Sequence, residues 1–395
     1  MPMSPRRPLG VRLLNRASRA ARKLGVAPPL DPASLKRQAE RTTGLNDWNA
    51  DDHDIFDEGL STLCAAVEAP PVLNGLGRLA LHLHLLRALS TRLQRIAAGP
   101  IHGTLQGPVL VVVGLPRSGT TYLHRLLAQA PGARALRLWE VQHPIAPSSG
   151  TDRRRARAQR SLSTFARLAP EIEAKHATSV DAPEECFFLL DDALVTPSFP
   201  LMFPVEHYRQ WRHTAPVKDA YRSYRSHLLR LAKSTPDRRL VLKAPGHAEH
   251  LTAIAEALPE AVFVHTHRDP VVTVPSRASL VASFHGQFTD HLDLHALGQS
   301  CLDDAVHLLR GSRHGRASLP AHRLINVEYA SLIEHPAATV ARIHASARLP
   351  MPPDFRRFLV NAPRNMSRPR HVYAAADFGL SEHAIKTAVT AAQPA

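Results

Sequence analysis

The residue pattern with the clearest chemical meaning is a short apolar strand that leads into a turn bracketed by glycines. Val109–Val113 are five consecutive apolar residues, Gly114 and Gly119 bracket the turn, and Tyr122–Ala130 continues as an amphipathic helix. The backbone N–H groups of such a turn, together with the positive end of the following helix, form an anion-binding site. The sequence therefore predicts an anion site at Pro116–Thr121.

The spacing of this turn is that of the nucleotide P-loop, Gly-x4-Gly-Lys-Ser/Thr, but Thr120 stands where the lysine would be. That lysine normally reaches the terminal phosphates of a nucleoside triphosphate, so its absence argues against ATP hydrolysis. A smaller anion, such as a phosphate that carries a sulfuryl group, can still bind. A P-loop small-molecule kinase with an altered loop is the alternative enzyme.

Three blocks of sequence, each following a predicted strand, resemble the sulfotransferases that use 3′-phosphoadenosine 5′-phosphosulfate (PAPS). Residues 116–121, PRSGTT, resemble the 5′-phosphosulfate loop of that family. Val262–Ser276 resembles its 3′-phosphate motif, in which Arg268 is followed eight residues later by Ser276. Leu240–Leu251 resembles the Lys-x-Pro-x-His segment of the bacterial branch. The resemblance implies a sulfotransferase of the bacterial type, with PAPS as the sulfuryl donor.

The resemblance also implies which residues hold the donor. The loop would bind the 5′-phosphosulfate through backbone N–H groups and hydroxyls, with an arginine beside the anion. The loop residues concerned are Pro116, Arg117, Ser118, Gly119, Thr120 and Thr121. Arg268 and Ser276 would bind the 3′-phosphate, because a guanidinium donates paired hydrogen bonds to phosphate. Tyr329 occupies a position where relatives carry a tyrosine near the nucleotide. The alternative for Arg268 is a surface contact with Asp269.

Sulfuryl transfer needs charge stabilisation at the bridging oxygen and removal of the acceptor proton. Lys243 aligns with a lysine that related enzymes place at the bridging oxygen; a solvated lysine at a strand end is the alternative. Two residues compete as the base. Glu140 matches in position the glutamate of protein-tyrosine and some bacterial sulfotransferases, whereas His247 follows the lysine at a longer spacing than the histidine of cytosolic members. We favour Glu140.

The order of strands and helices predicts the α/β fold that positions these residues. Strands are predicted at residues 109–113, 239–243, 261–266 and 324–328. Helices alternate with them at about 247–258, 271–283, 292–309 and 330–348. Such alternation implies a P-loop-type parallel sheet flanked by helices on both faces. Ligands of parallel sheets bind beyond the carboxyl ends of the strands, where Lys243, Arg268 and the loop are all predicted to lie.

The chain divides into three predicted parts. An N-terminal helical region covers residues 1–107 and includes a helix at Leu73–Ala98, whose leucine stripe is expected in the core. The α/β domain covers residues 108–380, with a helical insertion at about 152–224 that covers the acceptor site. Within the insertion, Asp181–Glu184 has the spacing of a helix capping box and opens the apolar run Cys186–Leu190. Residues 381–395 are expected to form a C-terminal tail.

The chain is basic, with 49 Lys+Arg against 34 Asp+Glu and a formal net charge of +15. This balance indicates anionic ligands, a membrane surface, nucleic acid, or solvated arginine-rich faces. Aromatic residues make up only 5%, which argues against a stacking surface for single-stranded nucleic acid. Val11–Val26 can form a basic amphipathic helix on an anionic membrane, although we favour a frayed or packed N-terminal helix. A non-enzymatic basic membrane-surface or nucleic-acid-binding protein is therefore the non-enzyme alternative.

Further features concern location, metals and the acceptor. The chain has no long apolar segment or signal-peptide core, and its three cysteines are far apart. These features favour a cytoplasmic protein, which can also contact the inner face of the membrane.

The 24 histidines form no metal-binding motif, so no metal is expected. The aromatic, proline-rich stretch Val195–Tyr208 and the basic N-terminus favour an apolar or membrane-associated alcohol as acceptor, a small molecule or a lipid, over an amine. The sequence predicts no oligomeric state.

Overall fold

The central sheet is built around Val109–Gly114 (β1), whose six residues are all buried because strands flank it and helices cover both faces. The computed structural model describes residues 7–24, 30–49, 52–69, 73–168, 179–362 and 373–392. Five parallel strands follow the order β2-β3-β1-β4-β5. The other strands are β2 Ala133–Ala135, β3 Arg239–Lys243, β4 Ala261–His267 and β5 Leu324–Glu328. The predicted parallel α/β sheet is confirmed; the edge strand β2 was not predicted, because its three residues form no apolar run.

Helices precede, interrupt and follow the sheet. Before β1 the α-helices are α1 Leu9–Lys23, α2 Pro32–Thr43, α3 His53–Glu68 and α4 Gly75–Ala97. Between β1 and β3 they are α5 Thr120–Leu127, α6 Leu138–Gln142, α7 Arg154–Leu168, α8 Ser198–Met202, α9 Glu206–Thr214 and α10 Lys218–Ala232. After β3 they are α11 Leu251–Ala257, α12 Pro270–Phe288, α13 Leu294–Ser318, α14 Tyr329–Glu334, α15 Pro336–Ser346, α16 Pro353–Asn361 and α17 Glu382–Ala391. The 3₁₀-helices are Cys186–Ala193, Pro245–His250, Ala321–Arg323 and Ala375–Phe378.

Parts of several predicted elements lie outside the described residues. These parts are residues 1–6, 25–29, 50–51 and 70–72 of the N-terminal region, 169–178 of the insertion, 363–372 of the α/β domain, and 393–395 of the tail. Within the described part of the tail, α17 forms a helix that buries Ile385. The helix predicted at 330–348 is two helices, since Pro336 lacks the N–H that would continue the first and instead starts the second.

Side-chain alternation along β1 separates two layers of the core. Val109, Val111 and Val113 pack into one apolar cluster, and Leu110 and Val112 into another. Successive residues of a strand point to opposite faces of the sheet, so helices cover both faces, as the alternating pattern predicted.

The strand register brings the predicted site residues to one edge of the sheet. Val112 of β1 pairs with Lys243 of β3 on one side and with Val264 of β4 on the other. Gly114, the last residue of β1, pairs with Thr266. The loop after β1, the end of β3 and the end of β4 therefore lie side by side.

The N-terminal helices form a third apolar cluster together with α8 and α9 of the insertion. Buried ion pairs fix α4 within this cluster. Arg92 is fully buried, pairs with Asp52 at 2.7 Å, and lies 3.8 Å from the centre of the Phe56 ring. Arg95 pairs with the buried Asp192 at 2.6 Å, which ties α4 to the insertion.

Helix α1 packs against the start of α4, which is the alternative that the sequence favoured. Val11 is buried, and Asn15 Oδ1 accepts a hydrogen bond from Leu76 N at 3.0 Å. The side chains of Leu9 and Leu13 are 64% and 54% exposed. Helix α1 therefore uses one face for packing and presents leucines on another.

The leucine stripe of α4 is only partly in the core, contrary to the sequence expectation. Leu76 and Leu89 are buried, but Leu79 and Leu83 are 42% and 58% exposed. No helix in the described ranges combines the length and apolar character needed to cross a bilayer.

Candidate active site

A cavity of about 1670 Å³ lies beyond the carboxyl ends of β1, β3 and β4. Its wall includes the loop after β1, Pro245 and Gly246 after β3, and Arg268 after β4. Small-molecule pockets commonly measure roughly 300–1,000 Å³. This cavity is therefore large enough for two reactants at once.

Two glycines allow the loop after β1 to turn tightly against the sheet. Gly114 has φ 133°, and a Cβ there would lie 2.4 Å from the carbonyl oxygen of Thr266. Gly119 has φ 88° and immediately precedes α5, where a Cβ would lie 3.0 Å from the Tyr329 ring. A side chain at Gly114 would force the backbones of β1 and β4 apart, and one at Gly119 would press on the Tyr329 ring in a strained backbone conformation. The loop thus presents the N-terminus of α5 to the cavity, which suits an anion.

Five of the six predicted loop residues line the cavity: Pro116, Arg117, Gly119, Thr120 and Thr121. The sixth residue, Ser118, does not line the cavity. Its buried hydroxyl donates to the carbonyl oxygen of Leu115 at 2.6 Å and lies 2.6 Å from Thr266 Oγ1. In this arrangement Ser118 closes the turn, and its hydroxyl does not face the cavity as the sequence had suggested.

The structure joins the loop to the second predicted phosphate motif, 150 residues later. Arg268 donates to the carbonyl oxygen of Arg117 at 2.8 Å, and its guanidinium lies 3.8 Å from the centre of the Tyr329 ring. Arg117 Nε donates to Ser276 Oγ at 3.0 Å. Asp269 instead caps α12, accepting from Val271 N at 2.8 Å. Two arginines, a serine and a tyrosine therefore form one cluster, and both arginines and the tyrosine line the cavity.

Lys243 is buried at the end of β3 with an acidic partner. It is only 3% exposed, and its Nζ lies 2.5 Å from Glu185 Oε1. Lys243 is thus not the solvated strand end that the sequence left open. Glu184 and Glu185 both line the cavity. Glu184 Oε1 accepts the N–H of Glu185 at 2.8 Å, and burial raises the pKa of Glu184.

Sequence reasoning missed these two glutamates as site residues, because it interpreted Glu184 only through its helix-capping spacing. The apolar run that follows them, Cys186–Ala193, is a 3₁₀-helix packed into the core. The adjacent acids immediately before a buried run were the available signal. Their proximity to Lys243 depends on tertiary packing across 58 residues of chain.

Glu140, the favoured base, caps the start of α6. Its carboxylate pairs with Arg134 and accepts the N–H of Arg137 at 2.9 Å. Its helix neighbours Leu138 and Gln142 line the cavity, but Glu140 does not. Glu140 is the third residue of this short helix, and its side chain reaches back to the unsatisfied N–H groups at the helix start.

His247, the rival base, is buried away from the large cavity. Its Nδ1 lies 2.9 Å from the Tyr221 hydroxyl and its Nε2 lies 3.4 Å from Cys186 Sγ. Burial, with the nearby His250, lowers the pKa of His247 to about 3. It borders a separate small pocket of about 20 Å³. His247 therefore remains neutral at pH 7, with both ring nitrogens already engaged.

The rest of the cavity is a mostly apolar arm, which is walled by residues of four helices. The apolar lining residues are Leu76, Leu79, Leu83 and Leu86 of α4, Leu162, Phe165 and Leu168 of α7, Leu201 and Met202 of α8, and Leu280 and Phe284 of α12. The stretch 195–208 thus contributes to the wall, as expected. Helix α4 contributes four leucines to the wall, although the sequence had predicted its leucine stripe to be in the core.

Glycine also sets how closely two of these walls approach. A Cβ at Gly77 of α4 would lie 2.4 Å from the carbonyl oxygen of Phe288, the last residue of α12. Asn74 adds two hydrogen bonds to the same helix end, from its N–H to Phe288 O at 2.8 Å and from its amide to Gln287 O at 2.9 Å. The start of α4 and the end of α12 are therefore in direct backbone contact.

Comparison with known proteins relates this chain to proteins of one family. Residues 108–353 match the profile described as the sulfotransferase family. The chain is 26% identical over 258 residues to the omega-hydroxy-beta-dihydromenaquinone-9 sulfotransferase Stf3 of Mycobacterium tuberculosis (strain CDC 1551 / Oshkosh) and of Mycobacterium bovis. These alignments cover 60% of this chain and 62% of each relative, so the match spans less than two thirds of their length.

Two solved structures share the architecture. Sulfotransferase STF1 from Mycobacterium tuberculosis H37Rv superposes with a TM-score of 0.76 at 25% identity, covering 92% of this chain and 99% of that one. Sulfotransferase STF9 from Mycobacterium avium superposes with a TM-score of 0.78 at 23% identity, covering 91% and 95%. The fold therefore extends over nearly the whole chain, beyond the residues that match the family profile.

Proposed function

The chain belongs to the sulfotransferase family, and from that premise we propose that it transfers the sulfuryl group of PAPS to a hydroxyl group of an apolar acceptor. One observation carries the proposal. The loop at the start of α5 and the Arg117–Arg268–Ser276–Tyr329 cluster place anion-binding groups from two distant motifs at one end of a large cavity. A nucleotide with phosphate groups at both its 5′ and 3′ positions suits this pair of sites.

The cluster offers separate groups for the two ends of the donor. Backbone N–H groups at the start of α5 and the hydroxyls of Thr120 and Thr121 suit the 5′-phosphosulfate. Arg268 and Ser276 suit the 3′-phosphate, since a guanidinium forms short, charge-assisted hydrogen bonds to phosphate. The Tyr329 ring supports the Arg268 guanidinium from one face.

In the proposed reaction, the acceptor oxygen forms a bond to sulfur while the bond from sulfur to the phosphate oxygen breaks. The products are a sulfate ester and 3′-phosphoadenosine 5′-phosphate. Lys243 does not itself line the cavity, but it contacts Glu185, which does, and from this buried position it would supply positive charge for the leaving phosphate. The hydroxyl proton needs an acceptor within the same cavity.

We assign the proton acceptor to Glu184, in place of Glu140 or His247. Glu184 lines the cavity, and burial raises its pKa, which brings a carboxylate closer to the range suited to a general base. Glu140 is held by Arg134 outside the lining, and His247 is engaged by Tyr221 and Cys186. The assignment of the base to Glu184 therefore depends on which side chains line the cavity and can contact a bound substrate.

The apolar arm favours a lipid-like alcohol as acceptor. Leucine and phenylalanine side chains from four helical segments wall the arm. The name of the relative Stf3 specifies a hydroxylated menaquinone derivative for that protein, which is an acceptor of the same chemical class. For this chain we propose a hydroxyl on a long apolar molecule, without assigning its identity.

We further propose that the open end of the arm rests on an anionic membrane surface. Leu79 and Leu83 are both exposed and part of the arm, and α1, with exposed Leu9 and Leu13, packs against the start of the same helix. Helix α1 contains no acidic residue. Exposed leucines beside basic side chains suit a surface of negatively charged lipids.

Isothermal titration tests the donor assignment without knowledge of the acceptor. The protein should bind 3′-phosphoadenosine 5′-phosphate at least tenfold more tightly than AMP, because one additional charge-assisted contact contributes about 1.5–3 kcal/mol. Equal affinities, or tight Mg²⁺-dependent ATP binding, would overturn the proposal in favour of a kinase. Binding of nucleic acid alone, weakening steeply with salt, would indicate a basic binding protein instead.

A further inference from the structure

A cluster of imidazoles and carboxylates lies in the cavity wall, apart from the donor-binding residues. His213 at the end of α9, Glu249 in the 3₁₀-helix Pro245–His250, and His307 in α13 each bring one possible ligand atom within 4.8 Å of the others. Glu249 and the neighbouring Asp304 line the cavity. The ligands lie far apart in sequence, which is why no metal-binding motif was recognised.

Three imidazole nitrogens lie close to one carboxylate oxygen of Glu249. His213 Nδ1 and His250 Nε2 each lie 3.4 Å from Glu249 Oε1, and His307 Nε2 lies 3.0 Å from it. Ligand atoms at about 2.0–2.1 Å from a tetrahedral zinc ion are separated by roughly 3.3 Å. The observed separations therefore already approach those of a coordination shell.

Hydrogen bonding alone accounts poorly for this crowding. Arg212 Nη1 also approaches Oε1 at 3.4 Å, so four nitrogens surround one oxygen, whereas a carboxylate oxygen accepts about two hydrogen bonds. The same guanidinium atom lies closer to Oε2, at 3.2 Å. Arg212 can thus hold the outer oxygen of Glu249 while Oε1 faces the imidazoles.

A second carboxylate supports one of the imidazoles from behind. His213 Nε2 lies 2.9 Å from Asp304 Oδ1, on the ring nitrogen opposite the one that faces Glu249. A hydrogen bond from the distal ring nitrogen to a carboxylate is the usual support for a metal-binding histidine, because it fixes the tautomer and the ring orientation. This contact is independent of the ligand distances.

We propose that His213, Glu249 and His307 form a binding site for a divalent transition-metal ion of the zinc type. Two imidazoles and a carboxylate suit Zn²⁺ and disfavour Mg²⁺, which prefers oxygen ligands. The ion would join α9 and α13 to the 3₁₀-helix that follows Lys243. The site is separate from the proposed sulfuryl transfer, which requires no metal.

The test uses untagged, chelator-treated full-length protein titrated with ZnCl₂ in a calorimeter. One equivalent should bind, far more tightly than MgCl₂, and Co²⁺ should give the visible absorption of a low-coordinate site. Asp304→Asn should weaken Zn²⁺ binding about 10–100-fold through its support of His213. Losing a ligand in His307→Ala or in the double variant His213→Ala/His307→Ala should weaken it at least as much.

The matched control is His314→Ala, which removes an exposed imidazole from the same helix, α13. This variant should bind Zn²⁺ like the unmodified protein. Circular dichroism establishes that each variant is folded; His307, 37% exposed, is a substitution that should preserve the fold. The proposal is overturned if folded His307→Ala binds Zn²⁺ as tightly as the unmodified protein, or if His314→Ala loses as much affinity.

Discussion

Arg117 and Arg268 carry the positive charge at the donor end, and each is held in place by the other motif. Arg268 bonds the backbone of Arg117, and Arg117 bonds Ser276. The sequence predicted all three residues, because each belongs to a short local motif. It did not predict that Ser118 turns its hydroxyl inward, since that depends on Thr266 of a different strand.

For the two glutamates considered as the proton acceptor, the sequence was less informative. Glu140 was selected by its position in a sequence pattern, but Arg134 and Arg137 determine where its carboxylate points. Glu184 lies in a segment whose only recognised pattern was a helix-capping spacing, and it reaches the cavity through the packing of the insertion. A phosphate-binding loop can be recognised from local sequence. Contacts between side chains that are far apart in sequence can be recognised only from the folded structure.

Substitution of Arg268 should separate the two ends of the nucleotide. Arg268→Ala should weaken binding of 3′-phosphoadenosine 5′-phosphate roughly tenfold to a hundredfold, because a charge-assisted hydrogen bond is worth about 1.5–3 kcal/mol. AMP, which has no 3′-phosphate, should lose much less. Calorimetry measures both. Equal losses for the two nucleotides would mean that Arg268 supports the loop through Arg117 and does not contact the phosphate.

Substitution of Glu184 should slow the chemical step alone. Glu184→Gln preserves the side-chain shape but cannot take the acceptor proton, so kcat should fall by about 10²–10⁴ while donor affinity is unchanged. Because burial raises the pKa of Glu184, activity of the unmodified enzyme should rise with pH as this carboxyl ionises. Steady-state kinetics across pH provides the measurement.

Glu140→Gln and His247→Gln are the matched comparisons for that experiment. Both should keep kcat within a few-fold in properly folded protein, since neither side chain lines the cavity. A large loss in folded Glu140→Gln, with Glu184→Gln nearly as active as the unmodified enzyme, would return the role of base to Glu140.

Among the helices, α4 combines two roles that are usually separate. On one side of α4, Arg92 and Leu89 are buried in the interior. On another side, Leu79 and Leu83 line the apolar arm of the cavity. Helical periodicity in the sequence identified the apolar residues but could not distinguish a buried leucine from one that lines an open cavity. That distinction depends on what packs against each face of α4, here α1, α2, α12 and the 3₁₀-helix Cys186–Ala193.

The exposed leucines of α1 should govern membrane binding. A leucine that is no longer buried in lipid loses roughly 1.5–3 kcal/mol. Leu9→Asp/Leu13→Asp should therefore reduce binding to vesicles rich in anionic lipid at least tenfold, as measured by co-sedimentation. Val360→Asp, which changes an exposed apolar residue on α16, is the control and should have no effect. Equal binding by the α1 variant and the unmodified protein would contradict a membrane role for this helix.

At the scale of the whole molecule, the parallel sheet was the most predictable feature. Four of its five strands are short segments rich in apolar residues and separated by helices, and this pattern can be recognised without knowledge of tertiary contacts. The three-residue edge strand and the packing of the C-terminal helix were not predictable, because their burial comes from neighbours and not from their own composition.

Buried histidines should make the folded state sensitive to acid. Burial lowers the pKa of His124, His247 and His265 to about 3. In the unfolded chain the pKa of a histidine is about 6.5. Below that pH the unfolded state therefore binds protons that the folded state does not. Stability should therefore fall as pH decreases from about 6.5 towards 3.

Thermal denaturation between pH 7.5 and pH 4.5 measures this effect. The melting temperature should decrease steadily below pH 6.5, and a folded His265→Asn variant should show a shallower decrease. A melting temperature that stays constant over this range would show that the buried histidines do not control acid stability.

The arginine cluster at the donor end also shapes the kinetics of the proposed reaction. The groups around Arg117, Arg268, Ser276 and Tyr329 suit parts of the nucleotide that remain after the sulfuryl group has left. The spent nucleotide should consequently dissociate slowly, inhibit competitively with the donor, and limit turnover. Rapid-quench experiments should show a burst of sulfated product equal to the enzyme concentration, and Arg268→Ala should diminish that burst. A linear time course from the first turnover would instead make sulfuryl transfer, or a step before it, rate-limiting.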